Sequence, residues 1–131
     1  MRWLDRLLGR QERPQTLGQR GEAAAAKFLR GLGYRIILRN FRCQLGEIDI
    51  VALDGDTLVF VEVKTRTYDE PSPEVQVNAR KHHQMTKVAK MYLGRYGNEQ
   101  PPARFDVVAV VWPEDGEPEI RHTRSAFQAT F

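Results

Sequence analysis

The stretch that most constrains this chain runs from Gly46 to Arg66. Two β-prone runs, Gly46-Glu47-Ile48-Asp49-Ile50-Val51-Ala52-Leu53 and Thr57-Leu58-Val59-Phe60-Val61-Glu62-Val63-Lys64-Thr65-Arg66, flank Asp54-Gly55-Asp56. An Asp-Gly step between such runs is a strong hairpin signal, because a type I′ turn needs positive φ at both central residues. With Asp54-Gly55 as the turn, Leu53 faces Asp56, Asp49 faces Phe60 and Glu47 faces Glu62. Side chains alternate with period two. The register therefore predicts Glu47, Asp49, Glu62 and Lys64 on one face, with Ile48, Ile50, Ala52, Val59, Val61 and Val63 on the other.

Asp49 and Glu62 would then be diagonal neighbours, roughly 7 to 8 Å apart at the backbone. That separation suits a bridging cation. Glu47 opposite Glu62 sets like charges together, which destabilises a sheet unless Lys64 or a metal neutralises them. On spacing alone two readings stay open: a metal or catalytic site, or the solvated face of a sheet covered on one side only. A three-residue turn would reverse the facing.

Helical patterns lie on either side of this hairpin. Thr16 to Leu32 reads as a helix with Thr16 as N-cap and Gly31 or Gly33 as the stop. Glu22 shares a face there with Ala25, Ala26 and Leu29, so it reads either as an inward carboxylate or as an exposed first-turn glutamate favoured by the helix dipole. Asn78 to Leu93 reads as a second helix, with Met85, Val88, Ala89 and Tyr92 inward, Lys81 and Gln84 extending that stripe, and Gly94 as the stop. Its surface is basic, with Arg80, Lys81, Lys87 and Lys90. Adjacent His82 and His83 point about 100° apart and do not suit one metal.

Between these elements, Tyr34 to Leu38 reads as a strand, and Arg39 to Gln44 leads into the hairpin with two arginines beside Phe41. Thr67 to Val77 is a loop, long enough to border a site. Phe105 to Trp112 is an apolar run expected to be a central strand, and Glu119 to His122 a short edge strand, with Phe127 packing or fraying beyond it. The order α-β-β-β-α-β predicts an α/β domain whose mixed β-sheet is flanked by helices.

The chain has 131 residues, 41% hydrophobic and 28% charged, which suits one globular domain. Residues 1–15 read as a basic N-terminal segment, a candidate flexible extension, and 16–131 as a single domain. A lone cysteine, Cys43, excludes an internal disulfide and suits a reducing compartment. No apolar run approaches the ~18 residues of a membrane span, and the first ten residues lack the pattern of a signal peptide. A cytoplasmic protein with no membrane partner is expected. Net charge +3 and pI ≈ 9.2 are compatible with a polyanionic partner.

Asp49 on one strand and Glu62-Val63-Lys64 on the next, with Glu22 upstream, resemble the PD-(D/E)XK nuclease superfamily and its restriction-endonuclease-like fold. Ile48 stands where a proline is usual. More narrowly, Gly18-Gln19-Arg20-Gly21-Glu22, Gly46-Glu47-Ile48-Asp49 and Leu58 to Lys64 look like the UPF0102 or YraN-like family, over about residues 16 to 111. The arrangement is also similar to archaeal Holliday-junction resolvases, which act as dimers.

The resemblance implies a Mg²⁺- or Mn²⁺-dependent endonuclease acting on DNA, with branched or structured DNA as candidate substrate and a homodimer as candidate assembly. Asp49, Glu62, the Val63 carbonyl and Glu22 would be the metal ligands, and Lys64 the catalytic cation. Arg39, Arg42, Arg66, Arg80, Lys81, Gln84 and Lys87 are the candidate nucleic-acid contacts, and Glu47 has no assigned role. The alternatives are a nucleic-acid-binding protein of the same fold that cleaves weakly or not at all, and an interaction domain with a merely solvated face.

Overall fold

A computed structural model describes residues 15–129. The N-terminal segment expected at 1–15 therefore lies, but for Gln15, outside the described residues. The elements are α1 (Leu17–Gly31), β1 (Arg35–Cys43), β2 (Gly46–Asp54), β3 (Thr57–Arg66), α2 (Ala79–Leu93), β4 (Ala103–Val111) and β5 (Glu119–Phe127), with a short 3₁₀ turn at Pro73–Gln76 before α2 and another at Gly94–Tyr96 after it. Strand order is β1-β2-β3-β4-β5. β3 and β4 are parallel and every other neighbouring pair is antiparallel. The sheet is mixed because β3 and β4 are joined by a helical crossover and the other strand pairs by turns. This is the αβββαβ order of a restriction-endonuclease-like core, with a fifth strand added.

Local chemistry sets the helix ends. Thr16 accepts from the Gln19 amide and Gln19 returns a bond to the Thr16 amide, a reciprocal capping box that starts α1. Asn78 caps α2 by accepting from the Lys81 amide, with no return bond, and Gly94 follows its last turn. The inward stripes are those of the sequence pattern. Ala25, Ala26 and Leu29 of α1 pack on Ile50, Ala52, Val59, Val61, Val108 and Val110, and Met85, Val88, Ala89 and Tyr92 of α2 pack on Ile48, Val51, Leu58, Phe60 and Phe105.

Both faces of the β2–β3 hairpin are thus covered, which corrects the expectation of one apolar and one polar face. The face expected to be polar also carries Val51, Leu58 and Phe60 near the turn, and α2 buries them. Only the strand ends away from the turn remain polar. Ile48 changes sides as well, joining the α2 cluster, while Ile50 joins the α1 cluster.

The hairpin register also differs from expectation, by two residues. Asp54 pairs with Thr57 and Ile50 with Val61, so Gly55 and Asp56 form the turn. Of the two, only Gly55 has positive φ, at 60°, so the turn meets the type II′ requirement of one positive-φ residue and not the type I′ requirement of two. A shift of two by itself preserves facing near the turn, but at the strand ends Glu47 and Asp49 line a hollow on the α1 side while Glu62 faces Lys81 of α2.

β1 is longer than the strand expected from Tyr34 to Leu38. Arg39, Phe41 and Arg42 continue it by pairing with Ile50, Ile48 and Glu47. β5 is also longer, reaching Phe127, whose ring stacks on Phe105 at 4.7 Å and on His82 at 3.8 Å between centroids. Beneath it Asp106 is fully buried, accepting from Arg104 Nε at 3.0 Å and the Ser125 amide at 3.0 Å, with His122 Nε2 at 2.7 Å. Burial raises its pKa, but these hydrogen bonds more than offset that and hold it below the ordinary value. No helix among the described residues is long and apolar enough to cross a membrane.

One glycine sets how closely α1 approaches the sheet. A Cβ at Gly21 would overlap the Thr65 side chain on β3, so the absence of a side chain lets the first turns of α1 rest on the end of β3 and brings Glu22 toward it. Gly21→Ala should lower the free energy of unfolding by about 1–3 kcal/mol, read as a reduced urea midpoint at unchanged slope. An unaltered midpoint would show that this contact does not fix the helix.

Candidate metal-binding and catalytic site

β2 and β3 are paired from the turn as far as Ile50 and Val61. Beyond that point the Val63 amide donates to Asp49 Oδ2 at 2.8 Å, so a carboxylate takes the place of a neighbouring strand's carbonyl. The register brings Asp49 opposite Glu62, where the expected register had made them diagonal and had set Glu47 against Glu62. The like-charge opposition is real, but its partners are Asp49 and Glu62.

Side-chain alternation breaks here. Ile48 and Val51, three residues apart, both join the α2-side cluster, as do Leu38 and Phe41 on β1. Asn40 lies inside the β1 break with φ of 57°. Asparagine is among the few residues that tolerate this region. The turned backbone lets neighbours Arg39 and Asn40 reach one target. Arg39 Nε and Asn40 Nδ2 both donate to Glu22 Oε1, at 3.0 and 2.9 Å. Glu22 is buried, so the inward reading of this residue holds.

Glu22, Asn40, Arg42, Glu47, Asp49, Val63, Lys64 and Arg66 come together around one hollow of about 400 Å³, floored by the first residues of α1. Arg39 lines an adjoining hollow with Glu22. Lys81 and Gln84 lie on the α2 side of the same strand ends, with Lys81 Nζ 3.6 Å from Glu62 Oε2. Arg80 and Lys87 are exposed on α2 and line none of these hollows. The sequence reading missed Asn40, whose role rests on its left-handed backbone.

The electrostatics single out the Asp49–Glu62 pair. Glu62 is buried, and its Oε2 has no hydrogen-bond partner. Burial, and then the Asp49 charge, push its pKa up to about 8 against the pull of Lys81. Burial also raises the Asp49 pKa, although the Val63 amide and Glu62 oppose the rise. Both shifts run the same way, so the pair resists carrying two negative charges at neutral pH.

A buried carboxylate oxygen that accepts no hydrogen bond, beside a second carboxylate, fits a hard cation. Among the described residues no three His, Cys, Asp or Glu side chains gather closely enough to enclose one. A cation here would take two carboxylates and complete its shell with water and ligand oxygens, as Mg²⁺ commonly does.

Fold and site together define a two-helix α/β domain with a carboxylate–lysine cluster at the open end of its sheet. The sequence profile described as "Uncharacterised protein family UPF0102" matches residues 21–110, a span that holds Glu22, Asp49, Glu62, Lys64 and Gln84. The chain belongs to this family. It is 47% identical to a UPF0102 protein of Geotalea daltonii over 118 residues, 89% of this chain and 93% of that one. It is 49% identical to relatives in Symbiobacterium thermophilum, over 88% of this chain and 98% of that one, and in Geobacter sulfurreducens, over 89% and 92%.

A raised acid pKa means that the folded state retains a proton the unfolded chain releases. In a chelator, Glu62 therefore costs stability progressively as pH rises from about 4.5 toward about 8. Glu62→Gln should remove that slope and melt a few degrees above the wild type at pH 8, the two converging near pH 4.5. Parallel melting curves at all pH values would refute the shift.

Proposed function

We infer that this protein is a metal-dependent nuclease that hydrolyses DNA phosphodiester bonds, with branched or structured DNA as candidate substrate. The observation that carries this reading is the buried Glu62 Oε2, which accepts no hydrogen bond, beside Asp49, with Lys64 close enough to pull on the Glu62 pKa. Asp49 and Glu62 would hold Mg²⁺ or Mn²⁺, with the Val63 carbonyl as a further oxygen. Such an ion, when bound, screens phosphate charge and acidifies water.

The remaining roles fall to side chains around the hollow. The Lys64 ammonium orients the attacking water or stabilises negative charge developing on the phosphate oxygens. Arg42 and Arg66, on the rim, offer charged donors to flanking phosphates. Glu22, held by Arg39 and Asn40 at one oxygen, keeps its other oxygen for a water or a second ion.

One observation favours the binding-only alternative: Glu22 is engaged by two donors and adds no third carboxylate to the Asp49–Glu62 pair. Turnover separates the two readings. With Mg²⁺ or Mn²⁺, the wild type should cleave at least one of linear duplex, single-stranded or four-way-junction DNA, and Asp49→Ala and Lys64→Ala should each lower the rate by about 100-fold or more. Wild-type products no greater than those of the variants on every substrate would end the nuclease reading.

A further inference from the structure

The carboxylate hollow has a neighbour. A second polar hollow of about 390 Å³ opens on the α2 side of the same strand ends, lined by Arg42, Cys43, Gly46, Glu47, Lys81 and Gln84. Arg42 and Glu47 line both hollows, so this pair is the ridge between them. They are cross-strand partners in the β1–β2 hairpin, and Arg42 Nε donates to Glu47 Oε2 at 2.9 Å. The side chains are 74% and 44% exposed, and ion pairs so open to water are held weakly.

The far wall is built by α2. Lys81 Nζ lies 3.3 Å from Gln84 Oε1 and faces Glu62 across 3.6 Å, which connects this hollow to the carboxylate pair. Gly46 has φ of 141°, which favours glycine, and the Gln84 side chain lies over it, so that a Cβ would come within 2.8 Å of Gln84 Cδ. The Gln84 side chain thus rests on the start of β2.

A guanidinium, an ammonium and a carboxamide around one hollow form the donor set that binds phosphate. Glu47 is the one anion among the lining residues, and its carboxylate occupies the Arg42 fork as a phosphate oxygen would. We propose that this hollow is a second phosphate subsite and that Glu47 is its internal stand-in for the ligand, released from Arg42 when a phosphodiester arrives. The ligand class follows: a chain with consecutive phosphates, one at the carboxylate hollow and the next across the ridge. A lone phosphomonoester would fill only one subsite. The proposal rests on the nucleic-acid reading above and gives Glu47 a role that the metal site does not use.

The test is a double-mutant cycle on binding, without turnover. The full chain in chelator is titrated into a fluorescently labelled single-stranded oligonucleotide, as wild type, Glu47→Gln, Arg42→Met and the double variant, with melting curves confirming that each is folded. Glu47→Gln should tighten binding about two- to fivefold at low salt, the strength expected of an exposed pair, and the gain should shrink as salt screens the charges. Arg42→Met should weaken binding, and adding Glu47→Gln to it should give no further gain. Unchanged or weaker binding by Glu47→Gln overturns the proposal. So does an equal gain in the Arg42→Met background, since Glu47 would then act only as bulk charge. A wild type that binds the oligonucleotide while the cycle fails loses the subsite alone; one that binds none at low salt loses the nucleic-acid reading with it.

Discussion

The hydrogen bond from the Val63 amide to Asp49 Oδ2 marks where this sheet stops being a regular ladder and becomes a site. On the turn side of it β2 and β3 pair by backbone, and both faces are sealed by helices. On the other side an aspartate carboxyl stands in for the ladder, and the strand ends carry acids and bases where the turn-proximal residues carry valine, leucine and phenylalanine. Buried backbone donors must find acceptors, and here the acceptor is a titratable group. That choice draws Asp49 toward β3 and sets it against Glu62. The raised pKa of each, the oxygen without a hydrogen bond and the approach of Lys81 all follow from this placement.

The helices serve the same point from opposite sides. α1 can rest on β3 because residue 21 lacks a side chain, and so Glu22 reaches the hollow. α2 begins with a capped turn that brings Lys81 to Glu62 and Gln84 against Gly46. β1 contributes through a defect: left-handed Asn40 breaks the alternation and turns two successive donors onto Glu22. Opposite charges are distributed around the carboxyl pair without neutralising it fully, because Lys81 stands 3.6 Å away, outside hydrogen-bond range of the oxygen it faces. An incompletely neutralised buried carboxyl pair costs stability in the free protein, and binding a cation would recover it.

Much of this was legible from local chemistry. Thr16 and the glycines beyond each helix state where helices begin and end, and the 3.6-residue stripes name their buried faces. The continuous apolar run of β4 announced a strand covered on both sides. The register was less legible, because Asp54-Gly55 and Gly55-Asp56 are competing turns and the choice depends on which residues must adopt positive φ. Reading the turn one residue out of place moved the register by two, paired Glu47 with Glu62, and so hid the Asp49–Glu62 opposition. The polar face was overextended because facing was read along the whole strand, whereas α2 buries the half nearest the turn. Asn40 could not be placed from pattern, since its role depends on a backbone excursion that no periodicity encodes.

The chemistry of the Asp49–Glu62 pair has a direct thermodynamic signature. If Asp49 and Glu62 together hold one proton where a divalent cation would sit, the cation must expel it. Calorimetric titration of Mn²⁺ into the protein at pH 7, repeated in buffers of different ionisation enthalpy, counts protons released per ion bound. The account predicts release of about one proton in the wild type and none in Glu62→Gln. Binding without proton release, or release undiminished in Glu62→Gln, would contradict it.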